Sequence, residues 1–259
     1  MIPLRDNIAT RRVPVITVAL IAVNLGVFVL NALMPQRELE PVLFQYGLIP
    51  AKIFKPVAVA EYYWRQFGLN VPVRYSWSEA LLPMFTSMFL HGGVLHLLGN
   101  MWILWIFGDN VEDCFGHLGF LLFYLACGLI SGTVQVLSAP LSPVVTIGAS
   151  GAVAGVMGAY MLLYPYARVM TLVWFIFIID VWPIPAFVYL FFWFLLQVLS
   201  GTASLGSHTF SGGVAWWAHI GGFLAGFGFV LFSGIQPHGQ YITSYSKRRV
   251  PWLPYSDRR

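Results

Sequence analysis

Three short stretches of the chain carry groups able to do nucleophilic and acid–base chemistry, each in apolar surroundings. They are His91-Gly92-Gly93-Val94-Leu95-His96-Leu97-Leu98-Gly99-Asn100, Gly148-Ala149-Ser150-Gly151 and Ala218-His219-Ile220-Gly221-Gly222. A serine hydroxyl is a weak nucleophile until an adjacent base takes its proton, and a histidine within hydrogen-bond reach can do so. Ser150 and His219 are therefore candidate nucleophile and general base. The oxyanion of a tetrahedral acyl intermediate needs fixed donors, and His96, the Asn100 amide and the Ser150 backbone N–H are suited to that. His96 and Asn100 are four residues apart, on one helix face. No carboxylate within an apolar segment is placed to orient His219, so the expected arrangement is a dyad.

The glycines beside these groups indicate how they meet. Gly151, Gly155 and Gly158 recur at helical spacing, as do Gly222 and Gly226. Small-xxx-small faces let two helix backbones approach closely. If those two faces pack together, Ser150 and His219 come side by side.

The elements are expected to be membrane helices. The 259 residues are 58% hydrophobic and only 9% charged, against about 25% charged in a soluble domain. Candidate spans are Pro14–Leu33, Val94–Val111, Leu118–Leu137, Ala149–Tyr164, Ala186–Ser200 and Val214–Ser233. The first is read as a retained span rather than a cleaved signal, for want of a small-residue cleavage site. Arg168 to Ser200 is too long for one span and is broken at Pro183-Ile184-Pro185; a crossing by Arg168–Val181 would make seven spans and put the basic flanks on opposite sides, so Arg168–Trp182 is read as an interfacial or partly embedded connector. The fold expected is an all-α polytopic bundle of six transmembrane helices with a long, partly embedded first external loop.

Basic residues flank both ends: Arg5, Arg11 and Arg12 before the first span, and Lys247, Arg248, Arg249, Arg258 and Arg259 in the tail. Under the positive-inside rule, six spans put both ends in the cytoplasm. The net charge of +4 is thus a membrane-flank signal, and no nucleic-acid partner is expected. The organisation expected is a cytoplasmic segment 1–13, a membrane domain 14–233 and a basic cytoplasmic tail 234–259. Asp109, Glu112 and Asp113 are read as a short loop after the second span. Cys114 and Cys127 form no CxxC pair, which disfavours a disulfide framework or zinc ribbon.

These motifs carry a resemblance to the rhomboid family of intramembrane serine proteases. The chain is similar in His91-x4-His96-x3-Asn100, in Gly148-x-Ser150-Gly151 and in Ala218-His219-x2-Gly222-x3-Gly226, which fall in order on the second, fourth and sixth spans. The resemblance implies Ser150 as nucleophile, His219 as general base and acid, and His96 with Asn100 at the oxyanion. It also implies that His91 orders the loop into the second span, with Gly148, Gly151 and Gly222 in support. It makes Gly201–Gly213 a mobile cap and puts the fifth span near the substrate's route of access. It implies membrane-protein substrates of one or several spans, in contact with lipid, and no cofactor or metal. The absence of an organelle-targeting segment fits a prokaryotic cell (inner) membrane. The chain departs from the family at Ala154, where an aromatic commonly stacks on the catalytic histidine, and lacks the usual Trp-Arg pair near Trp77-Ser78.

Two other classes are compatible with parts of the pattern. His91, His96 and His219 could ligate zinc, although that leaves Ser150 and its glycines unexplained. A non-catalytic substrate-binding relative or a transporter would also carry broken helices and midplane polar groups. Phe107-Gly108-Asp109 resembles the Gly-Asp of intramembrane aspartyl proteases only faintly. The Phe191-Phe192-Trp193-Phe194 stripe reads as lipid-facing surface.

Overall fold

The computed structural model describes residues 1–68, 77–175, 178–205 and 214–241. Two short strands, β1 (Ile2–Arg5) and β2 (Ile8–Ala9), precede α1 (Val15–Ala32). Three helices follow, α2 (Gln36–Tyr46), α3 (Pro50–Phe54) and α4 (Pro56–Phe67), and then α5 (Trp77–Thr86), which ends in a 3-10 turn at Ser87–Phe89. The rest comprises α6 (Val94–Phe115), α7 (His117–Ser138), α8 (Ser150–Leu163), β3 (Arg168–Phe175), β4 (Ile178–Pro185), α9 (Ala186–Leu205), α10 (Trp216–Ser233) and β5 (Gln240–Tyr241).

Among the described residues, α1, α7, α9 and α10 are long and apolar enough to cross a membrane. The Leu81–Phe89 and Val94–Phe115 helices qualify only as a pair bent by 87°, and α8 is a shorter apolar helix. α8 nevertheless lies at the centre. Every residue from Gly151 to Tyr160 is buried, against α6, α7, α9 and α10. A helix apolar all round is one that packs on every side.

Two expectations need correction. The connector Arg168–Trp182 belongs to a β-hairpin, with β3 and β4 antiparallel from Arg168↔Pro185 to Phe175↔Ile178. β1 adds to β3, giving the order β1-β3-β4. Val169, Thr171, Val173, Val181 and Trp182 are strand formers, and Pro183 and Pro185 are tolerated because β4 is an edge. The molecule is thus mostly helical but not all-α. Second, Asp109, Glu112 and Asp113 lie inside α6 rather than in a loop, and α6 and α7 are joined through Gly116 alone.

Partners explain why those acids can remain in a helix. The Glu112 carboxylate accepts the N–H groups of Ile16 and Thr17 and the Thr17 hydroxyl, at 2.9, 2.8 and 2.7 Å. It thereby caps α1, whose own N-cap residue Pro14 supplies no side-chain bond, and its charge suits the helix's positive end. The imidazole of His117 stands 2.6 Å from the same carboxylate. Asp113 accepts the Arg11 N–H at 3.1 Å. Asp6 accepts bonds from the Tyr160 hydroxyl and the Asn110 amide. Burial pushes the Asp6 carboxyl up to about 6, with the Tyr160 bond pulling the other way.

Candidate active site

Ser150 is the first residue of α8, so its N–H is among those with no partner inside the helix. The chain reaches it through a stretch fixed by backbone bonds to Leu48, Ala51 and Ser87. Leu48 and Thr146 exchange backbone bonds of 3.0 and 2.7 Å, and the Ala51 N–H donates to Ser142 O at 3.0 Å. The Gly148 N–H donates to Ser87 O at 2.8 Å. Gly148 has φ +126°, a conformation that L side chains rarely adopt, and a methyl there would sit 2.6 Å from His96 Nε2. Glycine is needed on both counts.

α10 brings in the histidine. Its glycine face meets that of α8: a methyl on Gly222 would overlap the Gly151 carbonyl, and one on Gly226 the Gly155 carbonyl. At the near end of that contact His219 Nε2 lies 2.8 Å from Ser150 Oγ. Gly158 is closed in the same way by the Phe223 carbonyl. Only glycine allows this separation.

α6 supplies the donors. Asn100 is buried, and its Nδ2 has no hydrogen-bond partner among the described residues. That nitrogen and His96 Nε2 both approach Gly148, at 3.8 and 2.6 Å from the position a Cβ would occupy. A buried amide donor left unpaired is costly, and one beside a serine at a helix N-terminus is poised for an incoming oxygen. His91 is 5% exposed and packs edge-on against His96, ring centroids 5.1 Å apart. His96, Asn100, Gly148, Ser150, Gly151 and His219 line one cavity of about 920 Å³.

Three residues at this site escape the motif reading. Gln197 Oε1 lies 2.8 Å from His219 Nδ1, and Trp193, one turn earlier on α9, stacks its ring at 5.8 Å and 34° to the imidazole. Trp216 meets the same ring edge-on at 6.3 Å. The aromatic neighbour missing at Ala154 is thus supplied from α9. The reading of the Phe191–Phe194 stripe as lipid-facing is correspondingly corrected: Phe191 and Phe192 are exposed, whereas Trp193 and Phe194 pack on Phe223. A signal for Gln197 existed in the sequence, since it is the sole amide side chain in the apolar stretch Ala186–Ser200.

The described residues contain no group of three or more His, Cys, Asp or Glu side chains placed to hold a metal ion. The three-histidine ligand set is therefore not assembled. Of the expected cap Gly201–Gly213, residues 201–205 continue α9, and the remainder lies outside the described residues. The basic residues from Lys247 onward and Arg74 lie outside them as well.

The arrangement can do acyl-transfer chemistry: a hydroxyl paired with an imidazole, a fixed partner behind the imidazole, and in the same cavity an amide donor, Asn100 Nδ2, that has no partner among the described residues. The family model of the Rhomboid domain matches residues 78–234, more than half of the chain. The chain is 36% identical over 155 residues to RHOMBOID-like protein 4 of Arabidopsis thaliana, covering 59% of this chain and 34% of that protein. It is 42% identical over 76 residues to Rhomboid protease GluP of Bacillus subtilis (strain 168), covering 29% of this chain and 14% of that protein. Against presenilin-associated rhomboid-like protein A, mitochondrial, of Danio rerio it is 35% identical over 91 residues, 34% of this chain and 23% of that protein. The chain thus spans about a third or less of the length of these relatives. With its span-length helices it is an integral, multi-pass membrane protein. The chain belongs to the rhomboid family.

Proposed function

We propose that the protein is an intramembrane serine endopeptidase that hydrolyses peptide bonds in or near the transmembrane segments of membrane-protein substrates. The observation that carries this reading is the 2.8 Å approach of His219 Nε2 to Ser150 Oγ, in the cavity also lined by Asn100, whose Nδ2 has no hydrogen-bond partner among the described residues. In the first step His219 Nε2 takes the Ser150 proton as Oγ bonds to the substrate carbonyl carbon. The resulting oxyanion accepts from the Ser150 N–H, Asn100 Nδ2 and His96. His219 then gives the proton to the leaving amine, and the acyl-enzyme remains. Water, giving a proton to the same imidazole, bonds to the acyl carbon; the bond to Oγ then breaks, the imidazole returns the proton to Ser150 Oγ, and the new carboxyl terminus leaves.

Six spans, α1 and α6 to α10, fit this reading. With 14 residues, α8 rises about 21 Å, less than the hydrocarbon thickness of about 30 Å. With its C-terminal end, beside β3, at one membrane surface, its N-terminus, and Ser150 with it, falls short of the other, in the cavity described above. His91, Gly148, Gly151 and Gly222 shape the surroundings. The flanks 1–13 and 234–259 belong on the cytoplasmic side of a prokaryotic cell membrane.

Reconstitution with a fluorescently labelled single-span substrate tests the activity. The parent protein is expected to cleave, whereas Ser150→Ala and His219→Ala fall to background, a loss of about 10⁴-fold or more. A serine-directed fluorophosphonate is expected to label the parent but not Ser150→Ala. Equal cleavage by parent and Ser150→Ala would overturn the assignment.

A further inference from the structure

We propose that Gln197 is a positioning residue that sets the tautomer and orientation of His219, an inference that rests on the dyad reading above. Its amide has two hydrogen-bond partners, and they fix which end faces which way. Nε2 donates to the Trp193 carbonyl at 3.1 Å, one turn back on α9. A carbonyl can only accept, so that end of the amide must be the NH₂. Oε1 is thereby turned to His219 Nδ1, 2.8 Å away.

An amide oxygen cannot donate, so Nδ1 must carry the proton. In a neutral imidazole the other nitrogen, Nε2, then holds the lone pair. Nε2 is the atom 2.8 Å from Ser150 Oγ. The chain of bonds from the Trp193 carbonyl through Gln197 and His219 to Ser150 thus selects the base-competent tautomer. Without a partner at Nδ1, a share of the molecules would hold the proton on Nε2, where His219 cannot accept one from Ser150.

The site is built for this. Gln197 is 6% exposed, so its amide is not in exchange with bulk water. Trp193 and Gln197, one helical turn apart, grip the imidazole by its face and by Nδ1 respectively. A catalytic serine triad places a carboxylate behind the imidazole; here a neutral amide takes that position. It orients the ring and accepts one hydrogen bond but offers the imidazolium formed during attack no counter-charge.

Two near-isosteric variants separate the roles. Gln197→Met keeps the volume and removes the acceptor; kcat is expected to fall about tenfold, the rate equivalent of one neutral hydrogen bond, with KM little changed. Gln197→Glu restores an acceptor and adds charge. It is expected to recover most of the rate and to move the acidic limb of the pH–rate profile upward, because a carboxylate stabilises the protonated imidazole. A purely structural Gln197 would give thermal destabilisation in Gln197→Met with kcat and the pH profile unmoved.

The inference is overturned if Gln197→Met keeps the parent kcat and pH profile while Ser150→Ala is inactive. If instead the parent cleaves no faster than Ser150→Ala, the protease reading fails. The tautomer is then read directly by nitrogen-15 NMR of histidine-labelled protein. There a proton on Nδ1 in the parent and a tautomer mixture in Gln197→Met supports the inference, and identical spectra overturn it.

Discussion

At the scale of single residues, the site rests on polar atoms that have one use each. The buried Asn100 Nδ2 has no partner among the described residues, and an unpaired buried donor costs roughly 1–3 kcal/mol. Such a cost is retained where a ligand or intermediate satisfies the group. If the group meets the oxyanion, Asn100→Ala should lower kcat by about 10²–10³ and leave KM nearly unchanged, because the bond is made chiefly in the transition state. His96→Ala should do the same, and steady-state kinetics on the labelled substrate would check both. A rise in KM at constant kcat would instead make these donors ground-state binders of substrate. Much of this was legible in the sequence, because His and Asn in an apolar helix are expensive and a serine among glycines is conspicuous. Gln197 was harder to see. Its partner His219 is 22 positions away on another helix, and no spacing rule links them.

At the scale of elements, the decisive contact is the crossing of α8 and α10. Its glycines were legible as two small faces at helical spacing, though which faces would meet was a conjecture until the backbones were placed. Gly226 lies where a methyl would overlap the Gly155 carbonyl, whereas a methyl on Gly228 meets only Phe232 Cε2 at 4.0 Å. Gly226→Ala should therefore force the helices apart, costing about 1–3 kcal/mol of overpacking. That corresponds to a melting temperature lower by roughly 2–10 °C for a chain of this size. Since Gly222 and His219 lie on the same helix, the separation should also lengthen the Ser150–His219 contact and reduce cleavage. Gly228→Ala is the matched control, and thermal melts in detergent with activity assays would compare the two. Similar loss in both variants would mean that backbone approach is not what the glycines provide. The hairpin β3–β4 escaped the sequence reading for a different reason. Its residues are apolar on both faces, so the alternation that marks a half-buried strand is missing.

At the scale of the whole molecule, the strands before α1 and after α10 are tied to one end of the bundle. β2 pairs with β5 through Ile8↔Tyr241 and Ala9↔Gln240, and β1 pairs with β3. α1 leaves that end at Val15, and 18 residues carry it about 27 Å away. Residues 9 and 240 can share one face of a membrane only if the chain between them crosses it an even number of times. If α1, α6, α7, α9 and α10 all cross, an even count requires α8 as the sixth crossing in spite of its length, which is the number proposed above. The strand pairing also moves Arg168 to the end that holds Arg5, Arg11 and Arg12, in keeping with the cytoplasmic side proposed for that end. Single cysteines at Thr10, Gln236 and Met34 test this, in a background where the buried Cys114 and Cys127 are replaced by alanine. In vesicles of known orientation, a membrane-impermeant maleimide should modify Thr10→Cys and Gln236→Cys from the same, cytoplasmic side and Met34→Cys from the other. Labelling of Thr10→Cys and Gln236→Cys from opposite sides would require an odd number of crossings and break the strand pairing that joins the two ends.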